Sequence, residues 1–217
     1  MTEKTETGKT MPLIKIEEIA PGVRLGLWHV TETPSVFFDL YPHLLVYKHA
    51  TDTFRSEARC TEYLAVRALL FQMEGDGVQI SHDGNGKPLL SNGSEISISH
   101  TRGYVAVIVS STRCIAVDIE YVSERVGRVA SKFLRNDENA VSLHGQLLCW
   151  CAKETVYKLF SADKLCSHDI RISPCELTGD TGVVNAENLK RHVSLDIHYS
   201  MTDKFMLTYA VYEAGNL

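Results

Sequence analysis

The sequence predicts an α+β fold of two similar lobes, residues 13–111 and 112–217, related by an approximate two-fold axis. In both halves a strand, at 23–30 and at 114–121, precedes a long helix and a closing hairpin. Each half also has a phenylalanine followed five residues later by a charged residue: Phe54/Arg59 and Phe133/Glu138. This repeated order predicts that each lobe packs a small, mostly antiparallel sheet on its long helix, with a ligand crevice between the lobes.

The N-terminal half begins with residues 1–12, which are too polar to bury and are expected to form a disordered tail. Alternating apolar residues then predict the first strand, and the mixed aromatic segment at 35–48 is expected to be helical. A wide apolar face predicts a helix over 54–71. A short strand at 78–80, a turn at 83–86 and a hairpin of strands 96–99 and 104–109 complete this half.

The C-terminal half carries the strand 114–121, in which Ile115, Val117 and Ile119 alternate with smaller or polar residues. Helices are expected at about 123–133 and 143–160, and strands 193–199 and 205–212 form the second hairpin.

The composition excludes several classes of protein. The 44% hydrophobic and 23% charged residues indicate a globular protein. The net charge of -5 argues against a nucleic-acid binder. No apolar run is long enough to span a membrane, and the polar N-terminus does not resemble a signal peptide, so we expect a cytoplasmic protein. The six cysteines are then expected to be reduced thiols.

Two segments carry side chains that could bind a metal ion or take part in a reaction. Asp118 and Glu120 share one face of the predicted strand, and neighbouring carboxylates repel each other unless a cation or proton lies between them. Glu154 and Lys158 lie one turn apart on the predicted helix, so strand and helix together offer three carboxylates for an oxygen-loving divalent ion and an ammonium for a phosphate. Each of the two pairs also has a simpler interpretation. Asp118 and Glu120 could lie on a solvated strand face, and Glu154 and Lys158 could form a surface ion pair worth roughly 0.2–0.5 kcal/mol.

The motifs resemble those of the 4′-phosphopantetheinyl transferases, in particular the larger single-chain type typified by the surfactin-synthetase activator. That family has the patterns Gly-x-Asp-x-Glu, Phe-x-x-x-x-Glu and Trp-x-x-Lys-Glu-x-x-x-Lys. Here they are Ala116-Val-Asp118-Ile-Glu120, Phe133-Leu-Arg-Asn-Asp-Glu138 and Trp150-Cys-Ala-Lys153-Glu154-Thr-Val-Tyr-Lys158. The similarity continues upstream in Gly86-Lys-Pro88 and Ile96-Ser-Ile-Ser99-His100 and covers roughly residues 54 to 160. Ala116 and Thr155 replace the family's usual glycine and alanine.

The resemblance implies an enzyme that transfers the phosphopantetheine arm of coenzyme A to a serine of an acyl or peptidyl carrier protein and releases adenosine 3′,5′-bisphosphate. Asp118, Glu120 and Glu154 would hold Mg²⁺ or Mn²⁺. Glu154 would accept the serine proton, directly or through a metal-bound water, and Lys158 would meet the diphosphate. Asp118, Glu154 and Lys158 are therefore the predicted catalytic residues.

The nucleotide end of coenzyme A needs further groups. By family position these are Arg59, Lys87, Ser99 and His100, together with Lys158. A structural role is the alternative for His100, and Arg67, which shares the face of Arg59, is expected to face solvent. Glu138 is expected near the carrier-protein surface or, alternatively, at a helix start, and Trp150 is expected in the core.

Three functions from different classes compete. The first is the active transferase, for which an internal duplication makes a monomer the simplest state. The second is a non-catalytic module that binds coenzyme A or a carrier protein. However, a site that has lost its activity has no physical reason to keep clustered carboxylates. A metal-dependent phosphohydrolase that uses the same acids on another substrate is the third.

Overall fold

The computed structural model describes residues 12–213, so the expected tail lies, apart from residue 12, outside the described residues. Within that range the chain forms eleven strands in three antiparallel sheets and five α-helices, which confirms the α+β class. The strands are β1 (Leu13–Ala20), β2 (Val23–His29), β3 (Ile80–His82), β4 (Pro88–Leu90), β5 (Glu95–Thr101), β6 (Tyr104–Ser110), β7 (Arg113–Tyr121), β8 (Ile170–Ser173), β9 (Thr181–Asn188), β10 (Val193–Met201) and β11 (Phe205–Glu213). The helices are α1 (Pro34–Leu40), α2 (Lys48–Thr51), α3 (Glu57–Glu74), α4 (Arg125–Phe133) and α5 (Leu143–Leu159).

The order of the strands within each sheet follows their order in the sequence only in part. The first has the order β1-β2-β6-β5, the second β7-β11-β10-β9-β8, and β3 pairs with β4 alone. Each closing hairpin thus returns to pair with the opening strand of its own half: β6 pairs with β2, and β11 pairs with β7.

The apolar residues form three clusters, which define four layers. One cluster lies between α3 and the first sheet, another between α5 and the second sheet, and the third between the two sheets. At Gly26 on β2 a side chain would collide with Leu69 and Met73 of α3, which shows how closely that helix packs on its sheet. Both long helices begin at a serine whose hydroxyl accepts an amide hydrogen bond: Ser56 from Arg59 and Ser142 from Gly145.

The structure divides one predicted helix of the N-terminal half. The expected helix at 35–48 is divided into α1, a 3₁₀ turn at 42–47 and α2. The break falls at Tyr41, whose φ of -129° and ψ of 74° leave the helical region. Tyr41 precedes a proline, and the proline ring disfavours a helical conformation of the residue before it.

Four strands were not predicted: β1, β4, β8 and β9. The first, β1, is a largely exposed edge strand with irregular alternation. Of the others, β4 has only three residues and pairs with β3, whereas β8 and β9 extend the second sheet. The buried positions of β9 are Val184, Ala186 and Asn188. Short length, in β4 and β8, or weak apolar alternation, in β1 and β9, therefore made these strands difficult to predict from the sequence.

The two large sheets meet along β5 and β7 without a backbone ladder. Hydroxyl groups of β5 accept the amide hydrogens of β7 instead: Ser97 from Val117 at 3.1 Å, Ser99 from Ile119 at 3.2 Å and Thr101 from Tyr121 at 3.1 Å. We call this junction the hydroxyl seam. Since both strands advance by two residues from one contact to the next, they run parallel, and the middle of the seam lies beside Asp118. None of the helices within residues 12–213 is both long and apolar enough to cross a membrane.

Candidate functional site

Strand β7 orients the two carboxylates as its alternation predicts. Ile115, Val117 and Ile119 belong to the cluster between the sheets. Successive side chains of a strand point to opposite faces, so Asp118 and Glu120 face α5. Trp150 and Lys158 of that helix contact them directly.

The carboxylate of Asp118 is the most constrained group of the site. The residue is 4% exposed. Its Oδ1 accepts hydrogen bonds from Lys158 Nζ and from Ser99 Oγ, both at 2.8 Å. Its Oδ2 is buried and has no hydrogen-bond partner among the described residues. A buried carboxylate oxygen without a donor is costly, so the site favours an additional cation or proton at this atom.

Lys158 lies at the hydroxyl seam. Besides Asp118, its ammonium donates to the carbonyl oxygens of Val117 at 3.0 Å and Ile98 at 3.4 Å. One residue of α5 therefore bridges β5 and β7. The side chain remains 28% exposed, so a ligand can reach it.

Glu120 is held by Trp150, whose indole Nε1 donates to Glu120 Oε1 at 3.1 Å. Burial raises the pKa of Glu120, and the negative charge of Asp118 raises it further, while the hydrogen bond from Trp150 and the charge of Lys158 oppose the rise. The ring of Trp150 also packs edge-on against Phe133, with 5.1 Å between ring centroids. Trp150 thus packs against the core as expected but also orients a site carboxylate, which the sequence analysis missed.

Glu154 shares this electrostatic environment. Burial raises its pKa, as do the charges of Asp118 and Glu120, whereas the charge of Lys158 lowers it. The charges of Asp118 and Glu120 on β7 therefore act on Glu154 of α5. A raised pKa brings a carboxyl group nearer to the operating pH of a general base.

The three acids do not form a closed metal cage. No group of three His, Cys, Asp or Glu side chains in residues 12–213 is arranged to hold a metal ion. Hard carboxylate oxygens are nevertheless the ligands that Mg²⁺ and Mn²⁺ prefer, and Asp118 Oδ2 is an oxygen that lacks a partner. The donor set therefore fits a divalent cation in its chemistry.

Arg59 and His100 form a second group. Arg59 Nη1 lies 3.3 Å from His100 Nε2, and the other ring nitrogen, Nδ1, lies 3.3 Å from Glu62 Oε2. Burial is the main reason that the pKa of His100 is lowered, with smaller contributions from Arg59 and Lys158, against Glu62 and Asp118. Glu62 was not predicted, although its position three residues after Arg59 places both on one face of α3.

Lys87 and Lys158 line a cleft of about 730 Å³. It lies between the Gly86-Lys87-Pro88 turn, the start of β5 and the C-terminal end of α5, and it also contains Lys164. Lys87 Nζ donates to Glu95 Oε2 at 2.9 Å. Arg59, Ser99 and His100 do not line this cleft. Of the predicted cofactor-binding residues, Arg59 and His100 therefore lie apart from Lys87 and Lys158, and Ser99 contacts Asp118 instead.

The prediction that Glu138 lies at the carrier-protein surface is wrong. The Glu138 side chain is completely buried and forms an ion pair with Lys153, with 2.7 Å between Lys153 Nζ and Glu138 Oε2. It accepts further hydrogen bonds from the amides of Ile172 and Arg135. Glu138 also lies in the loop between α4 and α5, so the alternative of a helix-start acid is wrong as well.

Neither a scan against protein-family models nor a search of curated proteins gave a match to this chain. The chemistry of the site therefore has to be inferred from the residues that the fold brings together. These are Asp118 and Glu120 from β7 with Glu154 and Lys158 from α5, flanked by Ser99.

Proposed function

We propose that this chain transfers the 4′-phosphopantetheine group of coenzyme A to a serine of an acyl or peptidyl carrier protein in a Mg²⁺-dependent reaction. The observation that carries this proposal is the convergence of Asp118, Glu120, Glu154 and Lys158 from one strand and one helix. An acidic trio with an accessible ammonium is suited to a substrate that brings both a divalent ion and a diphosphate.

The three carboxylates would hold Mg²⁺ or Mn²⁺, with Asp118 Oδ2 as the oxygen that lacks a partner in the protein alone. When bound, the ion would offset negative charge on the phosphoryl oxygens. Trp150 would keep Glu120 oriented through its 3.1 Å hydrogen bond. Such support of a metal ligand by a second group is common in metal sites.

Glu154 would act as the base. The carrier serine oxygen forms a bond to the pantetheine-bearing phosphorus, and its proton passes to the Glu154 carboxylate, directly or through a water. The bond from that phosphorus to the oxygen of adenosine 3′,5′-bisphosphate breaks. Because burial and the charges of Asp118 and Glu120 raise the pKa of Glu154, its carboxylate holds a proton more firmly than an isolated glutamate would.

Lys158 would stabilise the charge that develops on the diphosphate. In the protein alone its ammonium is shared among Asp118 and the carbonyls of Val117 and Ile98. A divalent ion at Asp118 would weaken that attachment through charge repulsion and leave the ammonium available to phosphate oxygens. Ser99 would act on this arrangement indirectly, because its hydroxyl donates to Asp118 and accepts from Ile119.

Arg59, His100 and Lys87 would bind the nucleotide end of coenzyme A. The Arg59–His100 pair and the cleft that contains Lys87 supply cations on two sides of Lys158. Lys87 would exchange its contact with Glu95 for a ligand group, since the Lys87 side chain is 38% exposed and that ion pair contributes little in water.

We further propose that residues 13–111 and 112–217 are similar lobes related by a pseudo-two-fold axis, and that the chain is a cytoplasmic monomer. The strand orders β2-β6-β5 and β7-β11-β10 support the relation between lobes, because each follows an opening strand with a closing hairpin taken in the same sense. The long helices α3 and α5 each pack on the corresponding sheet.

The test is the intact mass of apo-carrier proteins after incubation with this protein, coenzyme A and MgCl₂. One fatty-acid acyl carrier protein and one peptidyl carrier protein serve as acceptors. We expect a gain of one phosphopantetheine group on at least one of them, and we expect EDTA to abolish the gain. Cleavage of the coenzyme A diphosphate without any carrier modification would instead identify a phosphohydrolase.

Glu154→Gln is the informative variant, and Glu176→Gln at an exposed position is its matched control. Transfer should be lost in the first and unchanged in the second. Full activity of Glu154→Gln would remove Glu154 from the mechanism. Binding of coenzyme A without transfer or hydrolysis by the unmodified chain, with every carrier, would favour the non-catalytic module.

A further inference from the structure

A second cavity of about 230 Å³ lies in the N-terminal half, lined by residues of the 3₁₀ turn at 42–47, of α3 and of the segment 75–79. None of its lining residues belongs to the candidate transferase site. The walls include the apolar side chains of Leu44, Leu70 and Val78 and the aromatic rings of Tyr47 and Phe71.

Arg67 is the cation of this cavity. The sequence predicts a solvent-facing side chain, but the residue is only 9% exposed, so that prediction is wrong. Its guanidinium stacks on Tyr63 at 3.2 Å from the ring centroid and on Tyr47 at 4.7 Å. Nη1 donates to the Tyr63 carbonyl at 3.0 Å, whereas Nε has no partner among the described residues.

No acid within residues 12–213 contributes to the electrostatic environment of Arg67. Its electrostatic partners are the two tyrosines, and burial lowers the pKa of the guanidinium from its usual value. A buried cation is normally paired with an anion, because removal from water is otherwise costly. Stacking on the two rings compensates only part of that cost.

His43 supplies a second unpartnered nitrogen. Its ring stacks on Phe71 with 3.8 Å between centroids, and Nε2 is buried without a hydrogen bond among the described residues. Only four buried side-chain atoms in residues 12–213 lack a partner, and two of them belong to residues that line this one cavity. Buried unpaired polar groups are rare in folded proteins and call for a bound group that satisfies them.

We propose that this cavity binds a small organic monocarboxylate with an apolar or aromatic body. The carboxylate would pair with the guanidinium of Arg67 and lie beside His43, and the body would lie against the apolar and aromatic walls. The cavity has the volume of about eight liquid waters, which limits the ligand to a small molecule. The exposed carboxylate of Asp76 also lines it and disfavours a polyanion such as phosphate.

Benzoate is a suitable probe, with benzyl alcohol as its neutral match and inorganic phosphate as the competing anion. Titration of the full chain, followed by chemical shifts of its amide resonances, should give saturable binding of benzoate. We expect benzoate to bind at least tenfold more tightly than benzyl alcohol or phosphate. Equal binding of benzoate and benzyl alcohol, preference for phosphate, or no saturation by benzoate would overturn the proposal.

Arg67→Met should weaken benzoate binding at least tenfold, whereas Arg55→Met, which removes an exposed charge, should leave it unchanged. Val78→Trp keeps Arg67 and fills the cavity, so it should weaken binding even if Arg67→Met fails to fold. Unchanged affinity in Val78→Trp would place the probe elsewhere and refute the site. Glu154→Gln should bind benzoate like the unmodified chain, which separates this site from the transferase.

Discussion

Replacing Lys153 with methionine should strongly destabilise the protein without removing a group from the chemistry. Lys153 belongs to the Trp150–Lys158 motif, yet its side chain is only 2% exposed. All three ammonium hydrogens are used: Nζ donates to Glu138 Oε2 at 2.7 Å, to the Phe133 carbonyl at 2.8 Å and to the Ser167 carbonyl at 2.9 Å. These contacts join α5 to the end of α4 and to the segment before β8.

The size of the stability loss follows from the unpaired carboxylate that the substitution leaves in the core. Methionine fills a similar volume, but the fully buried Glu138 carboxylate loses its only ion-pair partner among the described residues. Removing one member of a buried ion pair costs about 3–5 kcal/mol. For a chain of 217 residues, each kcal/mol lowers the melting temperature by about 2–4 °C, so we expect a fall of about 6–20 °C.

Urea unfolding followed by circular dichroism, with calorimetry for the melting temperature, measures this loss. Lys132→Met, at an exposed position on α4, is the matched control and should change the free energy of unfolding by about 0.5 kcal/mol or less. The double variant Lys153→Met/Glu138→Gln should recover part of the loss, because a neutral amide is cheaper to bury than an unpaired carboxylate.

Two results would refute this reasoning about Lys153. One is a loss below about 1 kcal/mol, which would mean that the buried charge finds another partner. The other is a transfer rate, measured well below the melting temperature and per folded molecule, that falls by orders of magnitude. That result would assign Lys153 to the chemistry rather than to the fold.

Three further predictions concern the site. In EDTA, Glu154→Gln should raise the melting temperature at pH 7–8, because a carboxyl group whose pKa is raised by folding destabilises the native state above that pKa. The gain in melting temperature should vanish as the pH falls towards about 4, where the glutamate is protonated in both states. A gain that stays constant with pH would contradict this. His100→Ala should weaken coenzyme A binding more than carrier binding in calorimetric titrations, since it removes the ring beside Arg59, and unchanged nucleotide affinity would show a structural role. Trp150→Phe should move the acid limb of the pH–rate profile to higher pH, because the lost hydrogen bond had lowered the pKa of Glu120. An unchanged acid limb would show that this hydrogen bond does not control the titration that limits the rate.

Regular elements with strong patterns were predictable from the sequence. The strand that carries Asp118 and Glu120 and the helix that carries Glu154 and Lys158 fall close to their expected bounds, as do both closing hairpins. The break at Tyr41 was also encoded locally, in the proline that follows it, although the aromatic residues around it obscured the signal.

Polar partners were less predictable. Glu138 was expected near the carrier-protein surface from its position in the family pattern, and Arg67 was expected to face solvent because arginines on helices usually do, yet both are buried. Their partners, Lys153 for one and two tyrosine rings for the other, become apparent only when α5 and α3 are packed. Burial of a charge depends on such partners and not on the residue type alone.

Local backbone geometry fixes which side chains share a face, because the backbone repeats every two residues in a strand and every 3.6 in a helix. That local rule was enough to place Asp118 and Glu120 on one strand face, and Glu154 and Lys158 on one side of a helix. The contact between the two faces depends on how α5 packs on the sheet. Tertiary packing likewise set the hydrogen bond from Ser99 to Asp118 and the hydroxyl groups that join β5 to β7 in place of a backbone ladder. These contacts link residues about twenty positions apart, and the packing of whole sheets, which no local spacing encodes, fixes their geometry.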